Sequence, residues 1–299
     1  MAKGFFTDTT LCIGCKACEV ACKEWNQLPS DGFNFTGMSY DNTASLGART
    51  WRHVAFIEKF PGSASRDDRS PVPASMPDGR VRADGSASIA HRIADGHVGT
   101  SDGQSGLFGD NRWLMMSDVC KHCTHAGCLD ACPTGAIIRN EFGDVYVQPD
   151  ICNGCGYCVT ACPFGVIDMN ESDGRAWKCT LCYDRQKDGF EPACAKACPT
   201  QSILFGDIDE LHERARERVG ILHERGVADA YLYGADEHTS VGNLNAFFLL
   251  LDKPATYNLP ENPHLPQAQV IPGYVATAIT ALALGTLAAL TFITGGRRA

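Results

Sequence analysis

Two signatures of nucleotide chemistry are missing from this chain. No G-x-G-x-x-G run follows a strand-like segment and no Walker A run occurs, so neither a dinucleotide nor an ATP site is indicated. C-x-x-C-H is absent too, which removes covalent haem. No nucleophile stands with a base in a recognisable pattern, and the polypeptide is not expected to be a catalyst alone. Positive charge is scarce, with 26 Lys and Arg against 35 Asp and Glu and a net charge of −9. A nucleic-acid partner would call for a basic face, so none is expected. Acids, bases and histidine all vanish between Val270 and Gly296.

Cysteine is abundant. Its sixteen copies fall into four blocks: Cys12, Cys15, Cys18, Cys22; Cys120, Cys123, Cys128, Cys132; Cys152, Cys155, Cys158, Cys162; and Cys179, Cys182, Cys194, Cys198. The third block is C-x2-C-x2-C-x3-C-P, the run by which bacterial ferredoxins hold [4Fe–4S] clusters. Three closely spaced thiolates wrap one cube, while the fourth points to a second cube. Pro133, Pro163 and Pro199 each follow a block's last cysteine, where proline suits a first helical position, so each fourth cysteine is expected at a helix N-cap.

If fourth cysteines are exchanged between paired blocks, the adjacent second and third blocks form one pair and the first and fourth the other. By elimination, one cube takes Cys12, Cys15, Cys18 and Cys198, and its neighbour takes Cys22, Cys179, Cys182 and Cys194. The other pair is Cys120, Cys123, Cys128 with Cys162, and Cys152, Cys155, Cys158 with Cys132. Four cubes use every cysteine. A disulfide framework suits short secreted chains better than one of 299 residues. Zinc fits the fourth block taken alone, but the triple C-x2-C-x2-C of blocks one and three does not match the paired cysteines of zinc sites.

Residues 270–296 form the uncharged segment, and Tyr274 to Ile293 gives twenty mostly apolar residues, enough for one transmembrane helix. Thr277, Ala281, Gly285 and Ala289 make a small-residue stripe along it, which suits close helix packing and which abundant alanine also produces. Arg297 and Arg298 follow, so the positive-inside bias puts the C-terminus in the cytoplasm and the metal-bearing body outside. No apolar signal segment or twin arginine precedes Cys12, so a partner is expected to carry the export signal.

The expected fold class is α+β, with two duplicated ferredoxin-like modules and one C-terminal transmembrane helix. Residues 1–61 and 107–206 form the four-cluster domain, interrupted by a Gly/Ser/Asp-rich insertion over 62–106. Residues 207–269 supply a helix and a connector. Ala136 to Ile138 and Val145 to Val147 read as a hairpin, and Val54, Phe56 and Trp113 to Met116 as further strands. Ile137, Ile167 and Ile203 each lie five residues beyond a fourth cysteine, a repeat expected to cap the cubes with apolar surface. Asp207 with Glu210 reads as a capping-box variant opening a helix that ends at Gly226 and leaves the metal domain. Pro254, Pro260, Pro263, Pro266 and Pro272 predict an extended, non-helical connector.

Around the blocks, Gly14, Gly154 and Gly156 would let backbone amides approach cluster sulfurs. Lys16, Lys121, Lys178 and Lys196 are expected mainly on the solvated surface, with an offset of cluster charge as the alternative. His122 and His125 suit tuning or exposure rather than ligation, and Trp25, Tyr157, Phe164, Trp177 and Tyr183 suit shielding from water.

Over nearly its whole length the chain resembles the iron–sulfur β subunit of membrane-bound respiratory formate dehydrogenases. The resemblance is carried by "CIGCKACEVACKEWN", "CNGCGYCVTACPF", "KCTLCYDR" with "EPACAKACPT", and "KPATYNLPENP" before the terminal helix. It implies a molybdopterin α subunit, with molybdenum or tungsten, that oxidises formate, and a membrane γ subunit with haem b that reduces quinone. Between them the β subunit relays electrons through four [4Fe–4S] clusters, in a complex that can form a higher oligomer of the heterotrimer. The family's arrangement agrees with the ligand sets given above, while the 62–106 insertion departs from it. Equivalent subunits of other molybdoenzyme reductases or of hydrogenases share the four-block order, and a membrane-tethered zinc or redox-sensor protein is the remaining alternative.

Overall fold

The computed structural model describes residues 2–32, 41, 43, 45–59, 112–235 and 239–295. The whole of the 62–106 insertion, and Arg297 and Arg298, lie outside them. Two compact units are distinguished, residues 1–57 with 115–299, and residues 58–114. Only the outer ends of two strands are described in the second.

The strands are β1 (Lys3–Asp8), β2 (Arg52–Lys59), β3 (Arg112–Val119), β4 (Ile137–Arg139), β5 (Val145–Val147), β6 (Asp168–Met169), β7 (Ala176–Trp177), β8 (Ile203–Asp207), β9 (Tyr231–Tyr233) and β10 (Ala246–Leu250). The helices are α1 (Ala17–Asn26), α2 (Gly127–Asp130), α3 (Tyr157–Ala161), α4 (Tyr183–Lys187), α5 (Ala193–Lys196), α6 (Ile208–Glu224) and α7 (Val270–Gly295). The strands expected around Val54, Phe56 and Met116 are present as β2 and β3, and the expected hairpin is β4–β5, with Ile137 opposite Val147.

A four-stranded sheet in the order β8-β1-β10-β9 backs the cysteine loops. β1 pairs parallel with β10 and antiparallel with β8, so the chain's first and last strands lie side by side. Both sheet faces are covered, and alternate residues of β1 serve different neighbours. Phe5 packs among Cys18, Cys120, Cys179 and Cys194, while Phe6 stacks on Phe247 toward α6. The His212 ring of α6 meets Phe247 edge-on at 4.5 Å, and Arg218 Nε donates to Asp8 at 2.8 Å.

That arrangement corrects two expectations. Helix α6 packs on β1 and β8 instead of leaving the metal domain, because Leu211, Ala215 and Leu222 bury their apolar stripe there. Asp207 does not cap it. Its carboxylate takes Lys3 Nζ at 2.9 Å, and no side-chain cap bond forms. The connector differs as well. Pro254 and Pro266 each open a 3₁₀ turn, since proline's fixed φ and missing N–H cost nothing at a first turn, and Tyr257, Leu259 and Leu265 are buried.

The fourth cysteines do not occupy N-caps. Cys22 lies inside α1, Cys162 is the C-cap of α3, and Cys132 and Cys198 follow the ends of α2 and α5. Proline after Cys132, Cys162 and Cys198 ends a helix by driving the preceding residue out of the α region, as the extended ψ of 113° at Cys162 displays. It then enters a turn in which the cysteine carbonyl accepts from Gly135, Gly165 or Gln201.

Helix α7 is long and apolar enough to cross a bilayer, and none of its membrane-length window is buried against the body. Its foot is fixed. Gln267 Nε2 donates to the Gly127 carbonyl at 2.9 Å.

Candidate metal centre

Blocks one and three repeat one another residue by residue. Gly14 and Gly154 hold φ of 67° and 74° between the first two cysteines, and Lys16 and Gly156 hold φ of 59° and 75° just before the helices that carry Cys18 and Cys158. These left-handed positions curl the loop so that three thiols face one hollow.

Three such hollows are bounded by the expected thiols. One of about 290 Å³ is bounded by Cys12, Cys15, Cys18 and Cys198; one of about 360 Å³ by Cys120, Cys123, Cys128 and Cys162; and one of about 280 Å³ by Cys132, Cys152, Cys155 and Cys158. Ile203, Ile167 and Ile137 respectively line them, each nearly inaccessible to solvent, so the isoleucine repeat does place one apolar wall in each. The remaining group is packed more tightly. Cys22, Cys179, Cys182 and Cys194 are all buried. After burial itself, Cys194, Cys179 and Cys182 are the strongest influences on Cys22.

Among the described residues no three His, Cys, Asp or Glu side chains close on a point that suits a single ion. Thiols ringing an apolar hollow fit a larger inorganic body. The donor set suits iron–sulfur clusters, because thiolate is their ordinary ligand. Burial raises the thiol pKa, to about 12 at Cys18 and Cys128 and about 11 at Cys158 and Cys182, so these four are neutral in the metal-free body and must release protons on loading. Cys132 goes the other way. Although its slight burial acts upward, the Thr134 hydroxyl and the N–H groups of Ile137, Thr134 and Ala136 bring it below the ordinary thiol value.

Interactions between groups give them an order in space. Cys18 of the first group feels Cys194 of the second, Cys179 of the second feels Cys120 of the third, and Cys128 of the third feels Cys158 of the fourth. Cys15 and Cys155, at the two ends of that series, are the exposed thiols. Apolar surface accompanies each, with Ile13 59% and Val20 59% exposed at one end and Ile151 48% and Tyr157 61% at the other. Tyr157 therefore does not shield its cluster loop, and Trp25, 46% exposed, does so only in part.

Polar support reaches individual sulfurs. Leu181 N–H donates to Cys179 Sγ at 3.3 Å, Ala176 N–H to Cys152 Sγ at 3.5 Å, and Asn26 Nδ2 to Cys22 Sγ at 3.7 Å. Ser117 Oγ lies 3.2 Å from Cys18 Sγ, and Arg52 Nη2 donates to Cys194 Sγ at 3.2 Å. Sequence reasoning missed Arg52 and Ser117. A signal existed for the first, since strand alternation puts Arg52 on the face of Val54 and Phe56.

Two of the four lysines correct the surface expectation. Lys121 is buried and paired with Asp118, and Lys178 is buried with Nζ donating to the carbonyls of Val145 and Cys179, because each side chain finds buried oxygen acceptors. Lys16 pairs with Glu19 at 3.3 Å, and Lys196 stays on the surface beside Glu191. His122 lines the hollow of Cys120, Cys123, Cys128 and Cys162, where Nδ1 accepts from Val145 N–H at 3.1 Å. Burial and then Lys178 hold its pKa far below the ordinary value, so it stays neutral. His125 is exposed.

Comparison with known proteins bears on this site. Two family models described as 4Fe-4S dicluster domain match residues 11–136 and 111–208, together covering all four cysteine blocks. The formate dehydrogenase iron-sulfur subunit of Haemophilus influenzae is 37% identical over 286 residues, which cover 94% of this chain and 76% of the relative. The formate dehydrogenase-O iron-sulfur subunit of Escherichia coli is 37% identical over 262 residues, 86% of this chain and 71% of the relative. A polypeptide of the anaerobic dimethyl sulfoxide reductase of Escherichia coli is 30% identical over 212 residues, 71% of this chain and 76% of the relative.

Proposed function

The chain belongs to the family of formate dehydrogenase iron–sulfur subunits, and from that premise we propose that it carries electrons from a formate-oxidising partner to a quinone-reducing one in the membrane. Four [4Fe–4S] clusters, when bound, supply one-electron carriers at successive positions. Cys12, Cys15, Cys18 and Cys198 hold the first; Cys22, Cys179, Cys182 and Cys194 the second; Cys120, Cys123, Cys128 and Cys162 the third; and Cys132, Cys152, Cys155 and Cys158 the fourth. The clustering of these thiols around shared hollows supports the assignment.

The observation that carries the relay is the serial order of the groups with exposed thiols at both ends. Direction is supported by the foot of α7, where Leu265 and Gln267 pack on Gly127 beside Cys128. The third and fourth groups therefore face the membrane, and the first faces the molybdopterin α subunit, whose metal is molybdenum or tungsten. A γ subunit of cytochrome b type receives the electrons. The four-cluster body, residues 1–61 with 107–206, lies on the outer face, anchored in lipid by the 270–296 helix with its C-terminus cytoplasmic. Heterotrimers assemble into a higher oligomer. The chain's own residues bind, order and insulate the clusters, and catalysis belongs to the partner.

Purifying the native complex tests this reading. A molybdenum or tungsten subunit should accompany the chain, together with formate-to-quinone activity. A second reading, service to another molybdoenzyme reductase, is favoured by the dimethyl sulfoxide reductase relative. It predicts a molybdenum partner whose complex leaves formate untouched.

A further inference from the structure

Buried charge is costly unless it is paired, and two cations near the cysteine loops, buried Lys121 and half-buried Lys16, have carboxylates. Lys121 has Asp118, and Lys16 has Glu19 and Asp41. Among the described residues Arg52 and Lys178 are different. Both are almost wholly buried, and neither has a carboxylate within ion-pair distance. Their compensation comes from sulfur.

Arg52 sits between the first and second thiol groups. One guanidinium nitrogen donates to Cys194 Sγ at 3.2 Å, while the other donates to the carbonyl and hydroxyl of Ser117 at 3.3 Å. The Ser117 hydroxyl in turn lies 3.2 Å from Cys18 Sγ, so one cation reaches a ligand of each group. Phe5 places its ring 4.7 Å from the guanidinium carbon, which excludes water from that side. Burial opposes the charge, and the sulfurs of Cys194, Cys18, Cys179 and Cys22, ionised once they hold iron, favour it.

Lys178 stands at the next junction. Its ammonium lies among the carbonyls of Val145 and Cys179, and the thiols that act on it are Cys120 and Cys128 of the third group and Cys179 of the second. It also lines the hollow of Cys120, Cys123, Cys128 and Cys162. At the junction of the third and fourth groups, where Cys128 meets Cys158, the described residues hold no further buried Lys or Arg without a carboxylate.

We infer that Arg52 and Lys178 are junction cations that set the potentials of the relay, Arg52 acting on the first and second clusters and Lys178 on the second and third. A cluster gains one negative charge when it is reduced, and a fixed positive charge in a dry interior stabilises that added electron and raises the potential. Because each cation touches two groups, it moves two potentials together. The second cluster, flanked by both, is raised most, and the fourth is left to its backbone amides and solvent. This inference rests on the ligand sets proposed above.

The test is an EPR-monitored redox titration of the native complex carrying R52M, R52K, K178M or no substitution, with iron and sulfide counted in each. Methionine fills the volume of a buried cation without leaving an unpaired charge, an exchange that folds commonly tolerate. R52M should lower two of the four midpoints, K178M should lower two, and one midpoint should move in both variants. R52K, which keeps the charge, should stay near the parent. Midpoints that do not move, that move all together, or that form two separate pairs overturn the inference, as does loss of clusters from both Arg52 variants, which marks a packing role. If R52M alone fails to load, K178M still decides by shifting two midpoints or not. A shortfall of iron in the unaltered chain overturns the ligand sets as well, whereas full loading with unmoved midpoints overturns the junction cations alone.

Discussion

The side-chain amide of Gln267 donates to the Gly127 carbonyl at 2.9 Å, joining the foot of α7 to the turn that carries Cys128. There is no room at that joint. A Cβ on Gly127 would fall 2.6 Å from the Ala161 carbonyl oxygen and 3.0 Å from Leu265 Cδ2. Gly127→Ala should therefore destabilise the body by about 1–3 kcal/mol through overpacking. Differential scanning calorimetry should record a fall of roughly 2–4 °C per kcal/mol, and an unchanged midpoint would refute the tight joint.

Ligand exchange between blocks makes serine substitutions equivalent across sequence. Cys162→Ser should abolish the same EPR signal as Cys120→Ser, although the two lie in different blocks. Cys132→Ser should match Cys155→Ser, and Cys198→Ser should match Cys12→Ser. Block-by-block pairing instead, with Cys162 resembling Cys152, would overturn the assignment.

Much of this site is legible in the cysteine spacing because cluster ligation constrains the chain locally. Cys12 to Cys18 and Cys152 to Cys158 must curl through left-handed positions, which explains Gly14, Gly154 and Gly156 at once. The β4–β5 hairpin is equally local, bracketed by Gly143. Long-range features were less visible. Ala246–Leu250 is an apolar run without alternation, and such a run reads equally as buried helix or strand until β1, some 240 positions away, is set beside it. The N-cap expectation for the fourth cysteines failed because proline after cysteine serves as a helix stop as readily as a first-turn residue.

Two glycines of the third block allow a graded test of the loop. Both hold positive φ, but a Cβ on Gly154 would collide with the Gly174 carbonyl oxygen, whereas nothing lies within 4 Å of one on Gly156. Gly156→Ala should cost only the strain of its conformation, about 1 kcal/mol, with full loading. Gly154→Ala should displace the Cys152 to Cys155 loop and remove about a quarter of the iron, corresponding to one cube of four. Equal iron in the two variants would contradict the close approach.

Truncation after Gln269 removes α7, whose membrane-length window has no surface buried against the body. The truncated chain should retain its iron and its thermal midpoint while moving to the supernatant after alkaline washing of membranes. Persistent sedimentation would place the membrane attachment elsewhere. Lost iron would mean that the helix supports the metal-bearing body.

Asp144 offers a pH test in the body outside the membrane. Its carboxylate is inaccessible to solvent, and burial raises its pKa from 3.8 to about 6, opposed by hydrogen bonds from Asn140 at 3.1 Å and Gln186 at 2.7 Å. An acid raised in the fold binds its proton more tightly there than in the unfolded chain. Stability is therefore lost as pH rises from about 4 to about 6, and the loss persists above that range. An asparagine at this position cannot ionise, so the Asp144→Asn variant should gain on the parent by about 2–3 kcal/mol between pH 4.5 and 7.5, whatever its offset at low pH. Comparing the thermal midpoints of the two loaded proteins across that range isolates the effect, since clusters common to both cancel. Parallel curves would mean that Lys178 and the two amides hold the carboxylate charged throughout.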